Sequence, residues 1–454
     1  MAIANSRDEQ RLTAKGRATR ERILLSTAEL ILDEGLSELN MDRVRKAASV
    51  SGSQLTHYYA DKQSLIREVL NRQIEVVLDF HRQPKLGGLD TFDDFERWID
   101  LNMRYLRRIG FGGTPTYHAL AGQLVKSDDT TRQTLAAGYE RWVELLEASF
   151  QRMKDRGVLK TSAKPRQLAL VVVAAHQGGA TLAYAYRQEW PLADALRFAV
   201  NYLRTFAADP AERDGRPPRR PRDHRPPATA HEDAAQRFTR KGLATRARIV
   251  EGAAELMFES GVSGTSLDDV RSALRVSGSQ LTHYFADKRD LTRQVIASRT
   301  SDVVDFHGQW MGSVDSFKGL RAWADACAAE SEAVYLRGGC IYGSLTGELL
   351  EADDGVLDDL AAGYERWLGV IQDGIAAMRT RGDLMRESDP RHLAVALLAA
   401  HQGGAMLTYV TAEADYFRAV INAAVDYVGT FQPAPKKRTR QSTSRRTGDD
   451  AEAD

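Results

Sequence analysis

Ser53, Gln54, Thr56 and His57 cluster in one short polar stretch and recur in the same order as Ser279, Gln280, Thr282 and His283. All four types form directional hydrogen bonds, and the chemistry they offer together is recognition. Gln can pair bidentately with the edge of adenine, Ser and Thr can serve several bases, and small side chains let a helix approach closely. The stretch reads SGSQLTHYYADK at Ser51–Lys62 and SGSQLTHYFADK at Ser277–Lys288, with Tyr59 changed to Phe285. Two matching reading faces imply two similar targets, and double-stranded DNA with two related half-sites is such a target.

A helix has to present these groups. Ser51-x-x-Gln54 and Ser277-x-x-Gln280 are capping boxes, so helices are expected to begin at Gly52 and Gly278. At 100° per residue Leu55 and Tyr59 share one face, as do Leu281 and Phe285, which predicts a buried side opposite the polar one. Tyr58 and Tyr284 lie near the boundary and read equally as packed or as phosphate contacts. His57 and His283 read as DNA contacts ahead of plain surface histidines. Asp61 is expected to cap the next helix, with Lys62 and Lys288 in first turns where the helix dipole offers a cation nothing and a phosphate would. Upstream, a short helix at 41–48 and the turn Ser49–Val50 complete a helix-turn-helix behind a long helix from about Thr19. Arg17, Arg20 and Arg22, with Arg240, Lys241, Arg246 and Arg248, gather positive charge at the start of that helix, suited to positioning a phosphate backbone.

The duplication runs well beyond the polar stretch. Lys15-Gly16 matches Lys241-Gly242, and Asp79-Phe80-His81 matches Asp305-Phe306-His307, at an offset of 226 that becomes 225 from Phe92 and Phe317 onward. AAGYERW at Ala136–Trp142 returns at Ala361–Trp367, and HQGG at His176–Gly179 returns at His401–Gly404. Apolar residues recur at spacings of three and four in nearly every segment, so the chain is expected to be all-α. The VVVAAH run at Val171 is the one place for a strand, and its Ala-rich, Pro165-started context favours helix. Between the copies lies a Pro- and Arg-rich linker. Its length of about 30 residues, at roughly 3.1 Å each, could reach on the order of 90 Å, enough for the two modules to sit side by side.

Lys+Arg and Asp+Glu both total 62, so any basic surface must be local rather than global. Only Cys327 and Cys340 are present, which argues against a disulfide framework. A buried free thiol is the ordinary reading of Cys340. With a polar amino terminus and no stretch read as long enough to cross a bilayer, a cytoplasmic protein without membrane contact is expected.

Residues 17–70 and 243–296 resemble the DNA-binding domain of the TetR family of transcriptional repressors. The match lies in the long first helix, the helix-turn-helix, and the aromatic-rich recognition helix followed by a small residue, a polar cap and Lys. GGCIYGSLTGEL at Gly338–Leu349 is similar to one group of TetR ligand domains. The resemblance implies two tandem modules, each a three-helix DNA-binding domain followed by a helical ligand-binding and dimerisation domain. The expected boundaries are a disordered 1–14, domains at 15–72 and 73–207, the linker at 208–236, domains at 237–298 and 299–432, and a disordered tail at 433–454. It implies DNA contacts at Arg20, Ser53, Gln54, Thr56, His57, Tyr58 and Lys62, and at Arg246, Ser279, Gln280, Thr282, His283, Tyr284 and Lys288. Many relatives carry Tyr where Thr56 and Thr282 stand.

The implied partners are double-stranded DNA and a small, apolar or aromatic effector, with the fused halves pairing inside a monomer as a pseudo-dimer. Tyr117, Trp142, His176, Cys340, Trp367 and His401 are the candidate pocket residues. Trp142 and Trp367 read first as core, and His176 and His401 first as core or interface histidines. Gly178-Gly179 reads as a place for close helix packing. The first copy loses the Cys-containing pattern, reading GGTPTYHALAGQL from Gly112, so its pocket is expected to differ from the second or to be dead. An architectural DNA binder is the alternative. An enzyme using His176 or His401 ranks lower, because no nucleophile, metal cluster or phosphate loop accompanies either histidine at recognisable spacing, and no cofactor is implied.

Overall fold

The structure, a computed structural model, describes residues 12–433 except 37, 112–115, 218–237, 313, 315, 350 and 351. Most of the linker and nearly all of the two expected terminal segments lie outside the described residues. What is described is helical, apart from one isolated bridge between Leu159 and Ala207. The first module runs α1 (Ala14–Glu34), α2 (Met41–Ala47), α3 (Gly52–Tyr58), α4 (Lys62–His81), α5 (Phe92–Ile109), α6 (Tyr117–Leu124), α7 (Asp129–Asp155), α8 (Pro165–Tyr186) and α9 (Trp190–Arg204). The second repeats the order as α10 (Arg240–Ser260), α11 (Leu267–Leu274), α12 (Gly278–Tyr284), α13 (Lys288–Met311), α14 (Phe317–Glu330), α15 (Ile341–Glu348), α16 (Asp354–Arg381), α17 (Pro390–Thr411) and α18 (Ala414–Gly429). The Val171 run lies inside α8.

The local signals explain where the helices begin. Ser51 and Ser277 accept the amides of Gln54 and Gln280, whose side chains bond back to the Ser amides, so α3 and α12 start at Gly52 and Gly278. Asp61 caps α4 by accepting the Ser64 amide. Gly35 and Gly261 end the long first helices at φ 82°, a region closed to most side chains. Their ψ of 162° and 158° is extended, so the chain leaves straight rather than through the left-handed helical conformation common after a helix.

Two helix pairs, α8 with α9 and α17 with α18, pack together as the join between the modules. A Cβ on Gly178 would overlap the Ala399 carbonyl, and one on Gly403 would overlap the Ala174 carbonyl. The second glycine pair of the motif differs, Gly179 lying against Leu192 and Ala195 within its own module. The reciprocal contact of Gly178 and Gly403 places α8 and α17 backbone to backbone about a pseudo-twofold axis. Gly122 on α6 meets Gly347 on α15 in the same reciprocal manner. Asn201 donates to the Tyr427 hydroxyl at 3.2 Å, carrying the join to the last helices.

One expectation is corrected here. α8 and α17 are each 22 residues long and apolar enough to cross a membrane by length and composition. Their 18-residue apolar windows are 94% and 89% buried inside the protein. A helix buried on every side is apolar all round, and the pairing of the modules is what buries these two.

Candidate DNA-reading faces and ligand cavity

On α3 the anchors and the polar groups separate as the helical period requires. Leu55 and Tyr59 are buried, as are Leu281 and Phe285. Ser53, Gln54, Thr56 and His57 are exposed, and so are Ser279, Gln280, Thr282 and His283. The hydrogen bonds narrow what each can offer. Gln54 Oε1 accepts the Ser51 amide at 2.9 Å, and Gln280 Oε1 accepts the Ser277 amide at 2.9 Å. The bidentate adenine contact therefore competes with the capping box, while the Nε2 amino group keeps its donor role. Thr56 and Thr282 donate back to the Gly52 and Gly278 carbonyls at 3.0 and 3.1 Å, which leaves their oxygens as acceptors.

The flanking candidates are drawn into the protein. Tyr58 donates to the Gly16 carbonyl at 3.2 Å, tying α3 to the start of α1. Tyr284 packs beside Phe238, with ring centroids 5.3 Å apart. Lys62 Nζ donates to the Leu36 carbonyl at 2.9 Å, and partial burial lowers its pKa. Lys288 is lowered by the same cause. Arg20 pairs with Glu68, and Arg246 lies over the Phe285 ring at 5.7 Å. A phosphate contact at Lys62 or Arg20 has to displace these partners. Arg22 and Arg248, charge-cluster members outside the named contact set, bond the Ala48 and Leu274 carbonyls and brace the helix-turn-helix.

A cavity of about 440 Å³ opens in the first module between α4, α5, α6, α7, α8 and α9. Tyr117, Trp142 and His176 line it, together with residues that the sequence reading did not single out as pocket residues, among them His81, Asn102, His118 and Gln177. His81 ends α4, with Nδ1 bonded to the Val77 carbonyl at 2.7 Å. Its Nε2 accepts the indole N–H groups of Trp98 and Trp142 at 3.0 and 3.2 Å. That arrangement requires a neutral ring, and burial lowers its pKa to about 4. His176 is lowered to about 3 by burial, with His81 and His118 adding to the effect. Gln177 Nε2 donates to His176 Nδ1 at 3.2 Å, so His176 Nε2–H faces Asn102 Oδ1 at 3.1 Å. The cavity wall is thus aromatic and uncharged around a histidine–amide pair, with Asp79 and Arg108 among its remaining lining residues.

The two pockets differ, as one of the two expectations states, and among the described residues the filled one belongs to the second module rather than the first. The ring centroids of Trp367 and His401 lie 5.1 Å apart, as those of Trp142 and His176 do at 5.0 Å, so the difference comes from what else meets the histidine. Tyr335 bonds His401 Nε2 at 2.9 Å, and Phe417 lies 4.8 Å from Tyr335 and 5.2 Å from His401. Cys340 is a buried free thiol whose pKa burial raises. It lines a crevice of only about 50 Å³ between the modules and accepts from Gln402 Nε2 at 3.6 Å. Among the described residues, the copy that lost the Cys pattern holds the open cavity beside its histidine. The reason is packing: α5 stops at Ile109, whereas α14 continues through a widened π turn at Ser331–Tyr335 that brings Tyr335 inward.

The chain matches family models in three places. Residues 317–424 match the "Tetracyclin repressor-like, C-terminal domain", 92–197 the "Transcriptional regulator LmrA/YxaF-like, C-terminal domain", and 249–295 "Bacterial regulatory proteins, tetR family". A curated relative, the HTH-type transcriptional repressor DhaR of Mycobacterium sp. (strain GP1), is 27% identical over 158 residues, which are 35% of this chain and 79% of that protein. Among solved structures, the regulatory protein TetR from Rhodobacter sphaeroides is 21% identical, with a TM-score of 0.37, covering 40% of this chain and 97% of that one. A TetR transcriptional regulator from Chloroflexus aurantiacus J-10-FL is 22% identical, with a TM-score of 0.39, covering 43% and 98%.

Proposed function

The chain belongs to the TetR family of bacterial regulatory proteins, and from that premise we propose that it is an effector-responsive repressor whose two fused modules act as one dimer-like unit on a paired DNA site. The observation that carries this is the recognition helix, α3 repeated as α12, with the same exposed groups and the one change confined to the buried face. A buried position tolerates one ring for another, whereas a changed reading group would alter which base is preferred. Both heads are therefore suited to the same half-site. The reciprocal packing of Gly178 and Gly403 supports pairing within the chain, since it occupies the join that a second copy would otherwise need.

The route from cavity to DNA head runs along α4. Its first turn follows α3, and its last residue, His81, holds both Trp98 and Trp142 at the cavity wall. A ligand that displaces those rings moves the end of α4 and with it the head. The cavity favours an uncharged, largely apolar compound, because its histidines are neutral and their nitrogens are already paired within the protein.

Footprinting the full chain on genomic DNA is the test. The expected result is a protected site with two related halves, bound by one chain per site. Sites without internal symmetry, or two chains per site in light scattering, would sink the paired-head reading. Affinity that collapses with salt and shows little preference among sequences would favour the architectural alternative.

A further inference from the structure

The two modules are diverged copies of one sequence in different states of filling. Around the shared histidine, His176 in one copy and His401 in the other, several lining positions differ, His118 against Gly343 among them, and three bear on the filling. Gly110, Leu192 and Asn102 of the first module stand at the positions of Tyr335, Phe417 and Cys327 in the second. The first set leaves room: α5 ends at Ile109 with Gly110 as its cap, and Leu192 and Asn102 line the 440 Å³ cavity. The second set fills it. Tyr335 is 5% exposed and Phe417 fully buried, their rings in contact with each other and with His401. The Tyr335 hydroxyl sits 2.9 Å from His401 Nε2, the same atom by which His176 bonds Asn102. A phenol ring with its oxygen on the histidine is what this fold accommodates when the space is occupied.

We propose that each chain takes one effector rather than two. The first-module cavity receives an uncharged aryl compound carrying one hydroxyl or carbonyl oxygen, which accepts from His176 Nε2–H in place of Asn102 Oδ1, and Tyr335 occupies the equivalent place in the second module as a built-in substitute. The proposal rests on the reading of the chain as an effector-responsive regulator and adds the ligand class and its count. The second module then serves as a fixed partner whose head does not respond to its own ligand, and all sensing passes through the first. The π turn at Ser331–Tyr335 is the local device, since the extra residue in a widened turn re-aims a side chain that would otherwise follow the helical period.

The test is calorimetric titration of the full chain with 2-naphthol, without DNA. The wild-type protein is expected to bind one naphthol per chain. Naphthalene, lacking the oxygen, is expected to bind roughly fivefold more weakly, the equivalent of one hydrogen bond. Ala180→Trp, which fills the first cavity, is expected to abolish binding. Tyr335→Gly with Phe417→Leu is expected to raise the count to two. Should that double variant lose its helical circular dichroism, Leu192→Phe reports instead, by weakening the single site at least tenfold. Two naphthols per wild-type chain overturn the proposal, as does undiminished binding by Ala180→Trp or by Leu192→Phe. A count that stays at one in the folded double variant overturns the substitute role of Tyr335. No binding by the wild type overturns the ligand class. Footprinting is read separately: one naphthol per chain with no protected DNA site would overturn the regulator reading and leave the cavity assignment standing.

Discussion

Lys126 of the first module and Glu348 of the second form an ion pair at 3.0 Å, with both side chains almost fully buried. Glu348 also accepts the Val262 amide beyond the end of α10 at 2.5 Å, and Lys126 donates to the Met257 carbonyl at 3.3 Å. A residue just past α6, a wall of the first cavity, is thereby joined to the DNA head of the other module. The duplication does not repeat the pair, because Gln123 occupies the position equivalent to Glu348.

Lys126→Met leaves a buried carboxylate without its cation and is expected to cost about 3–5 kcal/mol in chemical denaturation. Lys126→Met with Glu348→Gln removes both charges and keeps an acceptor for Val262, so most of that loss should be recovered. A double variant as unstable as the single one would show that the pair contributes packing rather than charge.

The same carboxylate has a pH signature. Burial outweighs Lys126 and raises the Glu348 pKa above its ordinary 4.5. The native state then holds this proton more tightly than the unfolded chain, so the stability from this site falls as pH rises from about 4.5 through the native value. Glu348→Gln is expected to flatten that limb of the stability profile, measured by urea denaturation across the acidic range.

His176 acts in the opposite direction. Its native pKa is lowered to about 3 from 6.5, so the unfolded chain takes up the proton first and stability is lost as pH falls below about 6.5. His176→Gln is expected to lose less stability than the wild type between pH 6.5 and 4.5, by up to roughly 2–3 kcal/mol. Equal losses would mean that the ring is not held neutral in the fold.

At the module join, Gly178→Leu forces a side chain into the Ala399 carbonyl and is expected to cost about 3 kcal/mol and to widen the particle in small-angle scattering. Gly369→Ala, on α16 where an added Cβ meets nothing within 4 Å, is the control. It is expected to stabilise by about 0.5–1 kcal/mol through helix propensity alone.

On the reading face, Gln54→Glu keeps the capping-box acceptor and loses the Nε2 donor. It is expected to leave thermal stability unchanged while weakening protection of one half-site in footprinting. Lys62→Ala is expected to lower thermal stability, because Lys62 holds the Leu36 carbonyl, with little change in the salt dependence of DNA binding. A drop of about one in the salt slope would place Lys62 on phosphate after all.

Local features were legible in advance because their causes are local. Capping boxes at Ser51 and Ser277, the Asp61 cap, and the split between Leu55 and the exposed Gln54 depend on neighbours within a turn or two. The apolar length of α8 and α17 has no local explanation, because it is the facing helices of the other module that bury them. The partner of Lys62, the Leu36 carbonyl, and the choice of packing over phosphate for Tyr58, which bonds the Gly16 carbonyl, are not legible locally, since both partners lie far off in sequence.

The amino-acid order by itself determined the all-helical character, the duplication and the identity of the two reading faces, since periodicity and caps act over short distances along the chain. Which module keeps a cavity was decided only in three dimensions. The residues that fill it, Tyr335 and Phe417, come from helices remote from each other in sequence, and whether they meet over His401 depends on a π turn and on how α18 packs on α17. The Cys-containing pattern marked the two pockets as different without telling which one is filled, because a pocket is the space left after packing and no motif encodes space.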